Sequence, residues 1–139
     1  MKTMATEVKQ VFPWQARYSV GIPEIDEQHK RLIGVINDLQ AAMLRGEGKA
    51  VLSRILDDLI RYTETHFAAE EKLLRARRYS EAAAHEQQHQ NLKKQVYELR
   101  DQLRAGKMTV TIEVMHFLKN WLANHILGAD LRYAAELKG

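Results

Sequence analysis

The sequence predicts an all-α protein, an antiparallel up-and-down four-helix bundle that follows an irregular N-terminal arm. Four long segments carry apolar residues at helical spacing, and no segment alternates apolar and polar residues as a half-buried strand does. The breaks between the segments are short, and two of the three contain glycine. Long amphipathic helices joined by short loops are typical of a bundle in which each helix buries one face.

The arm is expected to span residues 1–22, with its aromatic side chains packed on a bundle of residues 23–139. Pro23 suits the first turn of a helix, where its missing N–H costs nothing, and Glu24 and Asp26 suit the positive end of the helix dipole. The first helix is expected to end near residue 45, before two closely spaced glycines. Its apolar positions are Leu32, Ile33, Ile36, Leu39 and Met43.

Three more helices follow at similar lengths. The second is expected at about 49–75, and the third starts near Ser80, a candidate N-cap, and ends before Gly106. The fourth carries the stripe Val114, Leu118, Trp121, Leu122 and His125. Gly128 loosens that helix, and residues 131–137 add one or two short turns.

Composition narrows the protein class. The 139 residues fit one domain, and the absence of cysteine excludes disulfides, thiolate metal sites and a cysteine nucleophile. Neither a signal peptide nor a membrane span is predicted, so a cytoplasmic protein is expected. A short cluster of arginines could contact nucleic acid or anionic lipid; it consists of Arg75, Arg77 and Arg78. A solvated helix end is preferred, and no nucleic-acid partner is expected.

The most informative feature is a set of seven metal-ligand residues on or near the apolar faces of all four helices. They are His29, His66, Glu70, His85, His89, His125 and Asp130. Residues four apart share a helix face, so His66 and Glu70 point the same way, and so do His85 and His89. Each group would be costly to bury alone, whereas together they satisfy one another by binding metal.

Asp130 is the geometric exception in this set. Five residues carry it about 140° around an ideal helix from His125, away from the other ligands. To join them, the backbone near Gly128 must widen into a π-like turn or leave helical geometry.

Weaker explanations exist for each part of the set. A lone histidine on an apolar face is usually structural, and a histidine and an acid at i, i+4 often form a surface ion pair. Residues 85–89 match H-E-x-x-H of zinc metalloproteases, but Glu86 lies off the apolar stripe and four of the other ligands stay unexplained. The ferritin-like E-x-x-H pattern of Glu113 and His116 also faces away from the stripe, so His116 is expected at the surface.

With the ligands placed, the chain resembles the hemerythrin family, in particular its single-domain bacterial members, from Trp14 to Tyr133. The resemblance rests on four motifs: HFAAE (residues 66–70) with Glu71, H-x-x-x-H (residues 85–89), WLANHILGAD (residues 121–130), and a lead made of Trp14, Gly21, Ile22, Ile25, Asp26, Gln28 and His29. The family's H-x-x-x-x-D spacing supports Asp130, which helix geometry alone does not. Arg78 and Ser80 depart from the Gly and Pro that members often have around Tyr79.

The resemblance implies a centre of two iron ions joined by an oxo or hydroxo bridge. By it, one iron is bound by three histidines (His85, His89 and His125) and the other by two (His29 and His66), and both are bridged by Glu70 and Asp130. The iron with fewer ligands keeps an open position for O₂. Leu127 and Trp121 match positions that crowd this pocket, although both also suit plain core packing.

The resemblance therefore implies reversible O₂ binding for carriage, storage or delivery, and a protein that is not an enzyme. Two alternatives use the same site: a sensor of O₂, redox state or iron, and a di-iron peroxidase or nitric oxide scavenger. The ligand types also allow manganese or zinc in place of iron. A protein partner that receives O₂ is possible. The oligomeric state stays open, with a monomer slightly favoured.

Overall fold

The computed structural model describes residues 10–138, and four long antiparallel helices form its body. They are α1 (Pro23–Leu44), α2 (Lys49–Ala76), α3 (Ala82–Arg104) and α4 (Ile112–His125). A π-helical turn, Ile126–Asp130, continues α4 into a short last helix, α5 (Leu131–Lys138). Helix α1 packs on α2 and α4, and α2 packs on α3. The all-α four-helix bundle predicted from the sequence is confirmed, and residues 10–138 contain no strand.

The apolar stripes of the helices meet in two buried clusters. The larger fills the bundle between all four long helices and includes Leu32, Ile36, Leu56, Leu59, Val96, Met115, Leu118 and Ile126. The smaller lies where α2 ends and α5 begins, and consists of Leu74, Tyr79 and Tyr133. Burial of these side chains is the main stabilising contribution. Among the described residues, no helix is long and apolar enough to cross a membrane.

The segment before α1 is tied to that helix by side-chain and backbone hydrogen bonds. Asn37 accepts from the backbone N–H of Phe12 and donates to its carbonyl, at 3.0 and 2.8 Å. A single 3₁₀ turn, Ala16–Tyr18, brings the Tyr18 ring edge-on to Phe12, with the ring centroids 5.6 Å apart. Both rings are buried. Residues 1–9 of the predicted arm and Gly139 lie outside the described residues.

Three of the long helices end in the same hydrogen-bonded turn. Beyond α1 and α3, Gly46 and Gly106 both have φ of +75°, and the next N–H bonds back to a carbonyl five residues earlier. This left-handed turn usually needs glycine. Beyond α2, Arg78 takes its place at φ +57°, and the N–H of Tyr79 donates to the Leu74 carbonyl at 2.9 Å. Arg78, one of the two departures noted in the sequence, therefore forms the same turn that glycine forms beyond α1 and α3.

The prediction of Ser80 as the N-cap of α3 is wrong. The capping residue is Glu81, whose side chain makes no capping hydrogen bond. Ser80 instead donates from its backbone N–H and its hydroxyl to the carboxylate of Glu136, at 2.9 and 2.6 Å. The Ser80 hydroxyl thus donates to a carboxylate 56 residues away rather than accepting from the first turn of α3, and the bond ties the α2–α3 loop to α5.

We predict that Arg78→Gly stabilises the protein. A non-glycine residue in the left-handed region costs about 1–2 kcal/mol, and this exposed side chain makes no ion pair among the described residues to offset it. The midpoint of thermal unfolding should rise by a few degrees. Arg77→Gly is the matched control, because Arg77 has φ of −88° and glycine gains nothing there. A lower midpoint for Arg78→Gly than for the parent would contradict this reading of the turn.

Candidate metal centre

All seven residues singled out from the sequence are buried on the inner faces of the helices. None is more than 6% exposed: His29, His66, Glu70, His85, His89, His125 and Asp130. By contrast, His116 and Glu113 are exposed, as expected from their place off the stripe. Glu86 forms a half-exposed ion pair with Arg75 at 2.5 Å, so the acid of the protease-like pattern lies outside the bundle core.

The buried donor atoms fall into two groups that share both carboxylates. One group is Glu70, His85, His89, His125 and Asp130, and the other is His29, His66, Glu70 and Asp130. Within each group, one donor atom from every residue lies within 4.8 Å of all the others. Every one of the four long helices supplies at least one histidine. Residues distant in sequence thus present nitrogen and oxygen donors to two adjoining points in the core.

The π-helical turn explains how Asp130 reaches these groups. An ordinary α-helix would rotate it away from His125, but an i→i+5 turn brings the fifth residue back onto the same face. The Asp130 Oδ1 atom lies 3.1 Å from His125 Nε2 and 3.0 Å from His85 Nε2. Its other oxygen, Oδ2, lies 3.1 Å from His29 Nε2. The carboxylate therefore spans the two groups, one oxygen toward each.

The donor atoms are arranged to bind ions better than to bind one another. Six buried donor atoms make no hydrogen bond: the Nε2 atoms of His29, His66, His89 and His125 and both oxygens of Asp130. Yet several distances between a histidine Nε2 atom and a carboxylate oxygen in the centre are 3.0–3.1 Å. Neighbouring ligands on an octahedral ion, at bond lengths of about 2.1 Å, are about 3.0 Å apart. Buried polar atoms in proteins are nearly always paired. The residues of each group are therefore suited to holding metal.

Two neighbouring side chains fix the histidine rings. Glu71 accepts from His89 Nδ1 at 2.7 Å, and the Gln28 side-chain oxygen lies 2.6 Å from His66 Nδ1. A carboxylate can only accept, so the proton of His89 is on Nδ1, and its Nε2 lone pair faces the centre. The same tautomer follows for His66. Such outer partners fix the tautomer and the orientation of metal-binding histidines and make them better ligands.

Electrostatics in the core favour a cation. Burial alone lowers the pKa of His85, but close contacts with Asp130 and Glu70 outweigh it and raise this pKa to about 9. Burial raises the pKa of Glu70, yet contacts from His85 and His89 outweigh it and lower this pKa to about 2. Asp130 is likewise shifted well below the usual carboxyl pKa, mainly by His125 against the cost of burial. The two carboxylates stay charged and need positive charge beside them.

His66 responds in the opposite direction. Burial is the largest cause, and with the nearby His29 it lowers the pKa of His66 to about 4 in spite of Glu70. This imidazole is therefore neutral at physiological pH, the form that binds metal.

An aromatic ring packs directly against one of the histidines of the centre. The Phe67 ring stacks on the His89 ring, with 3.8 Å between centroids and 2° between planes. Trp121 donates from Nε1 to the Leu92 carbonyl at 3.0 Å and borders a surface groove of about 490 Å³ between α3 and α4. Leu127, named from the sequence, is only partly buried, whereas its neighbour Ile126 is fully buried.

The contacts of Tyr133 and Gln28 with the centre are among those that were not predicted from the sequence. Tyr133 is fully buried and donates to Glu70 Oε2 at 2.7 Å. It follows Asp130 by three residues, a helical spacing that could have been used to find it. Gln28 was noted only within the lead motif, and nothing in its position shows that it contacts a histidine 38 residues away.

Comparisons with known proteins agree with this geometry. Residues 20–137 match the family model described as Hemerythrin HHE cation binding domain. A bacteriohemerythrin of Stenotrophomonas maltophilia is 37% identical over 125 residues, which cover 90% of this chain and 80% of that protein. A hemerythrin-like protein of Naegleria gruberi is 34% identical over 96% of this chain and all of its own length.

A solved structure gives the same answer for the fold. The crystal structure of wild-type hemerythrin superposes with a TM-score of 0.85 at 28% identity, covering 93% of this chain and 99% of that one. The family match and the relatives each span most of the chain, and the donor atoms lie together in its core. The chain belongs to the hemerythrin family.

Proposed function

We propose that this protein binds O₂ reversibly at a centre of two iron ions, and so carries, stores or delivers O₂. The observation that carries the proposal is the pair of donor groups that share Glu70 and Asp130. Relatives named bacteriohemerythrin and myohemerythrin support an O₂-binding protein in general rather than an enzyme. The nitrogen and oxygen donors, with no cysteine in the chain, suit iron.

In this proposal each donor group binds one ion. His85, His89 and His125 would hold the first ion and His29 and His66 the second, with Glu70 and Asp130 shared by the two groups. The second group has one protein ligand fewer, which leaves room for an exogenous ligand. Two reduced irons held in this way supply reversible O₂ binding.

The chain's own residues would keep that chemistry reversible. Glu71 and Gln28 hold two histidine rings in place through Nδ1. Phe67 covers one face of His89, and we assign Trp121 and Leu127 to the wall of the O₂ pocket. An apolar wall would exclude water, which promotes irreversible oxidation of a reduced iron centre.

Two glutamate variants test the proposed centre. Glu70→Ala removes a carboxylate shared by both donor groups and should lower bound iron, measured by elemental analysis, from two per chain to one or none. The O₂-dependent visible colour should disappear with it. Glu86→Ala is the control, because that side chain pairs with Arg75 outside the core and should leave iron and colour unchanged. Loss of iron in Glu86→Ala with iron retained in Glu70→Ala would contradict the ligand assignment.

Stabilisation by metal should increase with pH. The metal-free protein gains stability from protonated His85 below the ordinary histidine pKa of about 6.5, and loses that gain as pH rises toward about 9. Metal competes with the same proton, so its advantage grows over this range. The difference in unfolding midpoint between metal-loaded and metal-free protein should therefore widen from about pH 6.5 to 9. A difference that narrows over this range would contradict the prediction.

A steep loss of bound metal is also predicted at acid pH. Below about pH 4, His66 becomes protonated as well, so bound metal should fall more steeply with pH than one histidine would allow. Metal content after dialysis at graded pH measures this. Metal retained in full down to about pH 3 would contradict it.

The assignment of Leu127 to the pocket wall is tested by the rate at which a Leu127 variant of the protein becomes oxidised. Leu127→Ala should admit water and speed conversion of the O₂-bound protein to its oxidised form, followed by stopped-flow absorbance. Because Leu127 is partly buried, the loss of stability should be less than the roughly 2–5 kcal/mol of a fully buried Leu→Ala change. Ile126→Ala is the comparison at a fully buried position. Faster oxidation in Ile126→Ala alone would move the wall to Ile126.

A further inference from the structure

The two oxygens of Glu70 have different surroundings. Oε1 lies 3.1 Å from His85 Nε2 and 3.0 Å from His89 Nε2, within the five-residue donor group. Oε2 faces the four-residue group at longer range, 3.7 Å from His66 Nε2 and 3.9 Å from His29 Nε2. The histidines therefore hold Oε1 closely, while Oε2 depends on another partner.

That partner is the hydroxyl of Tyr133, which donates to Oε2 at 2.7 Å. Asp130, the other shared carboxylate, has no such donor, because neither of its oxygens accepts a hydrogen bond from the described residues. The tyrosine thus acts on one carboxylate, and on the oxygen that faces His29 and His66.

The ring of Tyr133 is packed on more than one side. It is fully buried in the smaller apolar cluster, edge-on to Tyr79 with 6.0 Å between centroids and edge-on to His85 with 5.4 Å. A hydroxyl on a ring held this firmly gives Oε2 a fixed position rather than a range of positions.

We propose that Tyr133 is a positioning residue for the second metal ion, holding Glu70 Oε2 where His29 and His66 can share an ion with it. This inference rests on the proposed two-ion centre. The four-residue group has fewer ligands, so a misplaced Oε2 costs it a larger share of its donors. The five-residue group keeps Oε1 against His85 and His89 and should be affected less.

Titration of the metal-free protein with Co²⁺ under anaerobic conditions tests the proposal, with calorimetry and visible absorption as readouts. The parent should bind two ions per chain. In Tyr133→Phe the affinity for the second ion should fall about 10–100-fold, and that for the first by less than about threefold. Tyr79→Phe is the matched control: it removes a hydroxyl from the neighbouring ring, and no hydrogen bond of that hydroxyl is found among the described residues.

Thermal unfolding of the metal-free variants separates positioning from packing. A metal-free Tyr133→Phe that unfolds near the parent midpoint and loses only the second ion supports the proposal. Unchanged affinity for both ions overturns it, and so does an equal loss at both sites with a lowered midpoint, which indicates a packing defect. A parent that binds fewer than two ions contradicts the two-ion centre itself, whereas a normal parent with an unaffected variant contradicts only the role of Tyr133.

Discussion

Two carboxylates buried in an apolar core are the constraint on which the rest of this structure depends. Glu70 and Asp130 are fully buried, and the five imidazoles around them leave most of the facing atoms without hydrogen bonds. Each unsatisfied buried group costs on the order of 1–3 kcal/mol, so the bundle alone holds these residues at an energetic cost. A cation between the donors removes that cost, which is why metal binding and stability should be coupled in this protein.

Helix geometry accounts for how much of the centre could be predicted from the sequence. Pairs four residues apart, such as His66 and Glu70, must share a face, and the apolar stripes show which face is buried. The same arithmetic predicted that Asp130 needs either a π-like turn or non-helical backbone, and the structure has a π-helical turn at Ile126–Asp130. Regular periodicity thus carried the prediction of the four helices and of the residues that face inward.

Contacts between residues distant in the chain could not be predicted from the sequence. Ser80 has a good capping side chain, yet Glu136 on another helix binds it instead. One local feature was also not predicted: Arg78 adopts the left-handed conformation that Gly46 and Gly106 take, with the same backbone hydrogen bond to a carbonyl five residues earlier. The contact of Gln28 with His66 depends on how α1 packs on α2, and no periodic pattern encodes it.

The most direct test of the central claim is the visible spectrum of the reduced, iron-loaded protein through a cycle of O₂ admission and removal. Reversible binding predicts a new absorption band when O₂ is admitted to the anaerobic protein, its loss when O₂ is removed, and its return at nearly the same intensity in the next cycle. Iron content should stay at two per chain throughout. A spectrum that O₂ leaves unchanged, or one that O₂ changes only once and irreversibly, would contradict reversible O₂ binding at this centre.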